Sequence, residues 1–567
     1  MSKNGTSNTE MGKAGMSKAG MSENGMGKTG ADEFDYVIVG AGAAGSVLAN
    51  RLTEDAGVSV CVLEAGPADR NPWIHIPAGF TKTLFDPAYT WQFKTEPTEM
   101  TAGRAIATTQ GRTLGGSSSI NGMIYNRGQP ADLDNWAQRG NRGWGYSDML
   151  PYYKRTERRV GAGDDAKRGR GDGIPVTNMD WVHPMSEAFI RGCVGAGIPR
   201  NPDYNSGDQA GVGYFQRAIE RGYRVSAARA FLAPARGRAG LEVRTNARAT
   251  GIVFEGKRAV GVRYARERGG EAQEVRARRE VILCSGTVNT ARLLQISGVG
   301  PAGVLAALGV PVVHEVSGVG QNFRDHYAVR CVMRAKPGTP TLNELSRGVR
   351  LVDQVARWAT GKPSILAQAP SQVHVFWQSW DGADAPDLQC VFTPGSYTVG
   401  KTYILDNYPG MTAGAWAHRP ESRGHVTAQS VDPWVDPVIQ PNYLSNEADR
   451  RVTLGGIRLI RRLLGTPELA PFVDAETLPG KDVQSDDELL GFAKENGVTC
   501  YHLIGTAKMG PADDPGAVVS DRLLVHGMEG LRVVDASIMP AMPSANTYAT
   551  TLMIAERASD FIRGRVA

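Results

Sequence analysis

The sequence has few cysteines, and none of them forms a paired motif. Its six cysteines in 567 residues are far apart, without a CxxC pair. This spacing excludes a disulfide framework and a cysteine-type zinc site, and we expect no metal. It fits a reducing compartment and predicts a cytoplasmic protein. Cys61 and Cys284 lie in apolar, strand-like runs, so we expect both to be buried free thiols.

Long apolar runs and blocks of like charge are also missing. No stretch reaches the roughly 18 consecutive apolar residues of a transmembrane helix, so we expect no membrane span, although peripheral attachment to a membrane stays open. Residues 1–30 contain no apolar core of the kind that a secretory signal peptide has. The net charge of +5 is spread along the chain, and residues 266–279 mix both signs. We therefore predict no nucleic-acid surface.

The segment 1–31 lacks aromatic side chains and repeats a five-residue pattern that includes MGKAG, MSKAG and MGKTG. Such a polar, glycine-rich repeat cannot bury enough apolar surface to fold. We predict a disordered repeat tail. An extension that binds a partner, or that is related to expression, is the alternative.

Glycine, in contrast, is abundant, with 69 residues, and one cluster is informative. An apolar strand runs into Gly40, Gly42 and Gly45, and Glu64 follows a second apolar run. This order predicts a dinucleotide-binding βαβ unit, because the glycines allow a tight turn and close approach of a diphosphate, while the carboxylate accepts hydrogen bonds from a ribose. A purely structural glycine turn is the alternative. The motif by itself leaves NAD, NADP and FAD open.

Several apolar strands resemble the first one and are widely separated in the chain. They lie at about 35–40, 58–63, 281–285 and 531–534, which indicates one sheet assembled from distant segments. A chain of this length also exceeds one hydrophobic core. We expect it to leave a nucleotide domain, build a second domain and return.

The connecting segments have patterns of their own. Residues 67–110 are rich in proline, threonine and aromatics, which predicts an irregular excursion. The stretch 241–264 alternates like a hairpin with its turn near Gly256. An amphipathic helix is expected at Asn289–Ser297.

Five further blocks occur in a fixed order. They are Gly111–Asn121, Ser285–Gly300, Gly318–His326, Pro420–Gly424 with 441–445, and His502–Gly510 with 535–556. Together with the glycine turn they resemble the glucose–methanol–choline (GMC) flavin oxidoreductases, from about residue 34 to 563. The resemblance implies an α/β fold with a Rossmann-like FAD-binding domain built from discontinuous segments and an α+β substrate domain with an antiparallel sheet. The segments expected for the first domain are 32–156, 225–330 and 500–567, and those for the second are 157–224 and 331–499.

The resemblance selects FAD as the dinucleotide. Relatives with covalent flavin carry a histidine where this chain has Ile120, so the resemblance implies non-covalent FAD. Residues 546–548 begin the final helix, whose dipole would stabilise negative charge on the reduced flavin. The residues that the resemblance places around the cofactor are Gly40, Gly42, Ala43, Ala44, Gly45, Glu64, Ala65, Gly111, Thr113, Gly116, Ser117, Asn121, Gly122, Met123, Ile124, Ala249, Tyr501, Asp535, Ala536, Asn546 and Thr547.

The catalytic pair implied by the resemblance is His502 and Asn546. Oxidation of an alcohol requires a base for the hydroxyl proton, a second polar group on the same oxygen, and transfer of a hydride to flavin N5. A structural role is the alternative for His502, and a helix N-cap is the alternative for Asn546. His326 is interpreted as structural and His526 as part of a surface turn.

The resulting hypothesis is an FAD-dependent alcohol dehydrogenase or oxidase that acts on a small alcohol, with a primary alcohol favoured and choline possible but not favoured. The electron acceptor is oxygen, a quinone or a protein carrier, and the chain is a monomer or a homodimer. A flavin-dependent lyase or photodecarboxylase of the same fold is the alternative, and a non-catalytic FAD-binding protein is the third. Candidate aromatic side chains for the pocket are Trp377, Trp380, Phe392, Tyr397, Tyr403 and Trp416, and a place in the core is the alternative for most of them.

Overall fold

The computed structural model describes residues 32–398 and 404–566. Over these residues the protein is a mixed α/β structure with two seven-stranded sheets and several two-stranded ones. The predicted disordered tail at 1–31 lies outside the described residues, and so does Tyr403.

The first sheet assembles strands from distant parts of the chain, as predicted. Four neighbouring strands and the C-terminal one run parallel, while the remaining two form an antiparallel hairpin. The strand Val60–Leu63 and residues 36–39 of the neighbouring strand Glu33–Val39 are apolar because both faces are buried there. The order across the sheet is Leu241–Arg244, Val60–Leu63, Glu33–Val39, Gln273–Leu283, Arg258–Ala265 and Arg248–Glu255, with Leu531–Val533 beside Gln273–Leu283.

The predicted hairpin is confirmed only in part. The strands Arg248–Glu255 and Arg258–Ala265 pair around Gly256, but Leu241–Arg244 joins the parallel half of the sheet instead. The expected helix at Asn289–Ser297 spans Gly286–Ile296.

That helix begins earlier than predicted because a residue far along the chain binds its first turn. The Gly286 N–H donates to the Asp535 carboxylate at 2.9 Å, and the Thr290 hydroxyl donates to the same oxygen at 2.7 Å. Asp535 thus satisfies a free N–H at the helix N-terminus from the far end of the chain.

The second sheet is antiparallel throughout and carries its own apolar core. The long helix Glu447–Leu464 packs on it through a stripe of buried leucines and isoleucines. The order across the sheet is Val473–Leu478, Tyr327–Ala335, Gly410–Ala417, Leu388–Thr393, Val373–Trp377 and Gly211–Tyr214, with Val498–Thr499 beside Tyr327–Ala335.

The excursion at 67–110 is more ordered than predicted, because it contains two short helices and a strand, Thr90–Trp91, that pairs with Gln110–Gly111. None of the described helices is long and apolar enough to cross a membrane. The other α-helices of four residues or more in the described chain are Ala43–Leu52, Pro72–His75, Phe80–Thr83, Pro130–Gln138, Tyr146–Thr156, Pro184–Gly195, Ala302–Leu308, Leu342–Leu345, Gly348–Ala359, Asp486–Asn496 and Thr547–Ile562.

All six cysteines are free thiols, and Cys61 and Cys284 are buried as predicted. Within residues 32–398 and 404–566, no group of three or more histidine, cysteine, aspartate or glutamate side chains is arranged to hold a metal ion.

Candidate active site

A cavity of about 410 Å³ is lined by residues of both large sheets. The carboxyl ends of parallel strands, at Val39 and Leu63, form part of its wall, which is where open α/β sheets bind ligands. Every predicted site residue lines it except Gly45 and Thr113. The Thr113 hydroxyl instead donates to the Pro67 carbonyl at 2.8 Å, so this side chain braces the loop behind the wall.

The glycine turn forms a cradle without side chains. Gly40 has φ +105, and a Cβ there would lie 2.4 Å from the Cys284 carbonyl oxygen. A Cβ on Gly45 would lie 1.9 Å from the Gly40 oxygen, so Gly45 permits the helix to pack under the turn. A Cβ on Gly116 would come within 2.8 Å of the Gly42 Cα. Backbone at this turn can therefore approach a ligand closely.

Glu64 is a buried carboxylate beside this turn. Its Oε2 accepts the Ala41 N–H at 3.0 Å and its Oε1 accepts the Gly66 N–H at 2.8 Å. Burial raises the pKa of Glu64 to about 7. Each oxygen has a second lone pair, which suits hydrogen bonds from ribose hydroxyls.

Two arginines that the sequence did not single out, Arg248 and Arg292, line the same cavity together with Trp91 of the excursion. The guanidinium carbons of Arg248 and Arg292 lie 4.4 Å and 5.6 Å from the centre of the Trp91 ring. Burial, with repulsion from Arg292, lowers the pKa of Arg248 to about 9, and burial lowers that of Arg292 to about 10. Cations, a glycine cradle and a ribose acceptor together fit a dinucleotide with a diphosphate.

The hydrogen bonds around His502 assign its tautomer. The His326 Nε2–H donates to the His418 carbonyl at 2.8 Å, so the Nδ1 of a neutral His326 is an acceptor. His502 Nδ1 lies 2.9 Å from that atom and must donate to it. His502 Nε2 therefore carries the lone pair, which accepts the Asn546 Nδ2–H at 3.0 Å.

Burial and the neighbouring His326 keep His502 neutral. Both effects lower the pKa of His502 well below its ordinary value. Burial lowers the pKa of His326 to about 4, so it too is uncharged at neutral pH. A neutral imidazole with a free lone pair can accept a proton.

Asp325 holds the backbone of His502 in place. Its Oδ1 accepts the His502 N–H at 2.8 Å, and its Oδ2 accepts the hydroxyls of Tyr443, at 2.5 Å, and Thr499. Tyr501, just before the histidine, has φ +64, a backbone conformation that this support helps to maintain.

Asn546 precedes the helix Thr547–Ile562, but its side chain accepts no N–H from that helix. The N-cap alternative is therefore not what the structure shows. Its Oδ1 instead accepts the Gln389 Nε2–H at 3.4 Å, which turns the Asn546 N–H toward His502. Gln389 and the role of His326 were missed, because nothing in the sequence brings the second sheet next to His502.

One face of the second sheet completes the wall with side chains that alternate along its strands. Tyr397 and Trp416, among the predicted aromatics, line the cavity, and the Trp416 ring centre lies 6.3 Å from that of His502. Phe392 is buried in the core instead, and Trp380 is 47% exposed. The residues of this face that line the cavity are Ala328, Arg330, Val391, Thr393, Thr412, Gly414 and Trp416.

Comparison with known proteins is consistent with this site. GMC oxidoreductase family models match residues 34–328 and 420–555. The oxygen-dependent choline dehydrogenase of Brucella anthropi is 39% identical over 533 residues, which are 94% of this chain and 96% of that protein. Human mitochondrial choline dehydrogenase is 39% identical over 543 residues, 94% of this chain and 91% of that protein.

Among solved structures, pyridoxine 4-oxidase from Mesorbium loti superposes with a TM-score of 0.84 at 31% identity, over 94% of this chain and 100% of that one. These matches do not favour a lyase. The chain belongs to the GMC oxidoreductase family and is an FAD-dependent enzyme that oxidises CH–OH donors.

Proposed function

We propose that His502 is the base that accepts the hydroxyl proton of the alcohol. The observation that carries this proposal is the hydrogen-bond chain from His418 through His326, which leaves the lone pair on His502 Nε2. Bound FAD supplies the acceptor for the hydride that leaves the carbinol carbon.

The proposed partner of His502 is Asn546. The alcohol oxygen replaces the direct contact between the two side chains, so that His502 Nε2 receives its proton while the Asn546 N–H donates to the same oxygen. Gln389 keeps the amide in this orientation. Two fixed contacts on one oxygen orient the C–H bond and stabilise the negative charge that develops on that oxygen.

The rate of flavin reduction is expected to stay constant from pH 9 to pH 6. The lowered pKa of His502 keeps its imidazole unprotonated over this range, and activity declines only as the pH falls through that lowered pKa. A histidine with the ordinary pKa of about 6.5 would be about three-quarters protonated at pH 6. Anaerobic stopped-flow measurements at saturating substrate test this. An inflection near pH 6.5 would contradict the proposed environment of His502.

We also propose non-covalent FAD and the predicted Rossmann-like domain division. Ile120 lines the cavity and offers no nucleophile for a covalent flavin bond. Two separate apolar cores support the division. The predicted bounds do not follow the cores throughout, because Ile174, Val426 and Ile439 pack with the first core while Ile106 and Tyr327 pack with the second.

We propose further that the substrate is an alcohol with an anionic group, such as a carboxylate. Arg330 projects from the cavity-facing side of its strand, two residues from Ala328, and it pairs across the sheet with Gly414, which also lines the cavity. No described carboxylate lies within ion-pair distance of it. The acidic residues of the cavity wall are Glu64 and Asp535, both already accepting backbone hydrogen bonds. An unpaired guanidinium attracts an anion and repels a quaternary ammonium.

Replacing Arg330 by glutamine is expected to lower kcat/KM for 4-hydroxybutyrate about tenfold to a hundredfold, because one charge-assisted contact is lost. Replacement by glutamate should in addition raise kcat/KM for choline. Arg334→Gln is the matched control, since Arg334 is exposed on the same strand and pairs with Asp474. Wild-type preference for choline over its uncharged isostere 3,3-dimethyl-1-butanol would refute the anionic substrate class and leave His502 unaffected.

A further inference from the structure

The helix Gly348–Ala359 presents its apolar side to solvent. Gln354 is its one buried residue, and the Gln354 side-chain oxygen accepts a backbone N–H at 3.1 Å. Val349, Val352 and Val355 are 85%, 68% and 44% exposed. At three-residue spacing these valines share one face. An ordinary surface helix has the opposite arrangement, with apolar side chains turned inward.

The segment that carries this helix is basic. Between residues 344 and 362 the chain carries Arg347, Arg350, Arg357 and Lys362 against two acidic residues, Asp353 and Glu344, and Glu344 pairs with Arg350 at 3.2 Å. Basic residues beside an exposed apolar ridge are the composition of helices that lie on anionic membrane surfaces.

Aromatic side chains and the cavity wall adjoin the same helix. The Trp358 ring lies 5.1 Å from that of Tyr223, which is 40% exposed. Tryptophan and tyrosine are enriched at membrane–water interfaces. The chain continues from this helix to Pro370 and Ser371, which line the cavity.

We propose that the exposed face of Gly348–Ala359 binds the surface of an anionic phospholipid bilayer, with its valines in the boundary between headgroups and acyl chains. The positive charge of this segment favours an anionic bilayer over a second copy of the chain as the partner of the face. A second copy docked through the same face would bring two net-positive segments together, whereas an anionic lipid surface neutralises their charge. The binding is peripheral and independent of the substrate chemistry.

Co-sedimentation of the FAD-loaded full-length enzyme with vesicles tests this. Wild-type protein should bind vesicles of phosphatidylcholine with phosphatidylglycerol more tightly than pure phosphatidylcholine. The double variant Val349→Asp, Val352→Asp should bind at least about tenfold less, because it removes the inserted apolar area. Arg347→Gln and Arg350→Gln should each weaken binding to the anionic vesicles about fivefold.

Val312→Asp is the matched control, since Val312 is 58% exposed elsewhere on the surface. A Val352→Trp variant tests insertion directly, because brominated lipids should quench the fluorescence of the new tryptophan. Absence of binding to anionic vesicles, or undiminished binding by the double valine variant, would overturn the proposal. So would a wild-type dimer that this variant dissociates without any vesicle binding, since the face would then belong to a second copy.

Discussion

Replacing His502 by alanine should abolish alcohol-driven flavin reduction while FAD stays bound. General-base catalysis by a positioned side chain contributes about a hundredfold to ten-thousandfold to the rate, and the expected loss is of that size. The glycine cradle and Glu64 are untouched by this change, so the flavin content should equal that of the wild type. Anaerobic stopped-flow reduction, followed through the absorbance of oxidised flavin, measures the effect.

His526→Ala is the matched control for this variant. The His526 ring contacts the Gly510 carbonyl at 3.0 Å and does not line the cavity, so the rate of flavin reduction in this variant should remain normal. His326→Ala should give an intermediate loss, because it removes the acceptor that fixes the His502 tautomer. Wild-type reduction kinetics in His502→Ala would show that another group removes the proton.

The glycine turn could be predicted from sequence because its chemistry is legible within a few residues. His502, in contrast, was predicted from the resemblance of its block to the GMC family, and its catalytic role stays a prediction. The parallel sheet could be predicted equally well, since the strand Val60–Leu63 and residues 36–39 of the strand Glu33–Val39 are buried on both faces and largely apolar. A local sequence pattern is therefore enough to predict features that depend only on neighbouring residues.

The features of the fold and the site that could not be predicted depend on contacts between distant segments of the chain. Nothing near Gly286 shows that Asp535 will cap its helix, and nothing near His502 shows that Gln389 orients Asn546. In the sequence, nothing distinguishes Arg330 from other charged residues of a strand. Only the folded sheet shows that its side of the strand faces the cavity. Long-range pairing therefore determines the tautomer and the charge of the site, which the motifs leave open.

Replacing Glu64 by alanine should strongly lower the affinity of the protein for FAD. The carboxylate fixes two backbone N–H groups at the glycine turn, of Ala41 and Gly66, and lines the cavity where a ribose is expected. Leaving buried donors unpaired costs about 1–3 kcal/mol each. With the ribose contact added, we expect FAD to bind at least about a hundredfold more weakly.

Titration of the apoprotein with FAD, followed by flavin fluorescence, measures this loss. It presupposes a dissociable cofactor, so acid precipitation of the wild type should release all flavin into the supernatant. Glu242→Gln, an exposed carboxylate in the strand beside Val60–Leu63, is the matched control and should bind normally. Because His502 lies outside the turn, saturating FAD should restore reduction in Glu64→Ala. A variant that stays inactive when loaded would instead place Glu64 in the chemistry.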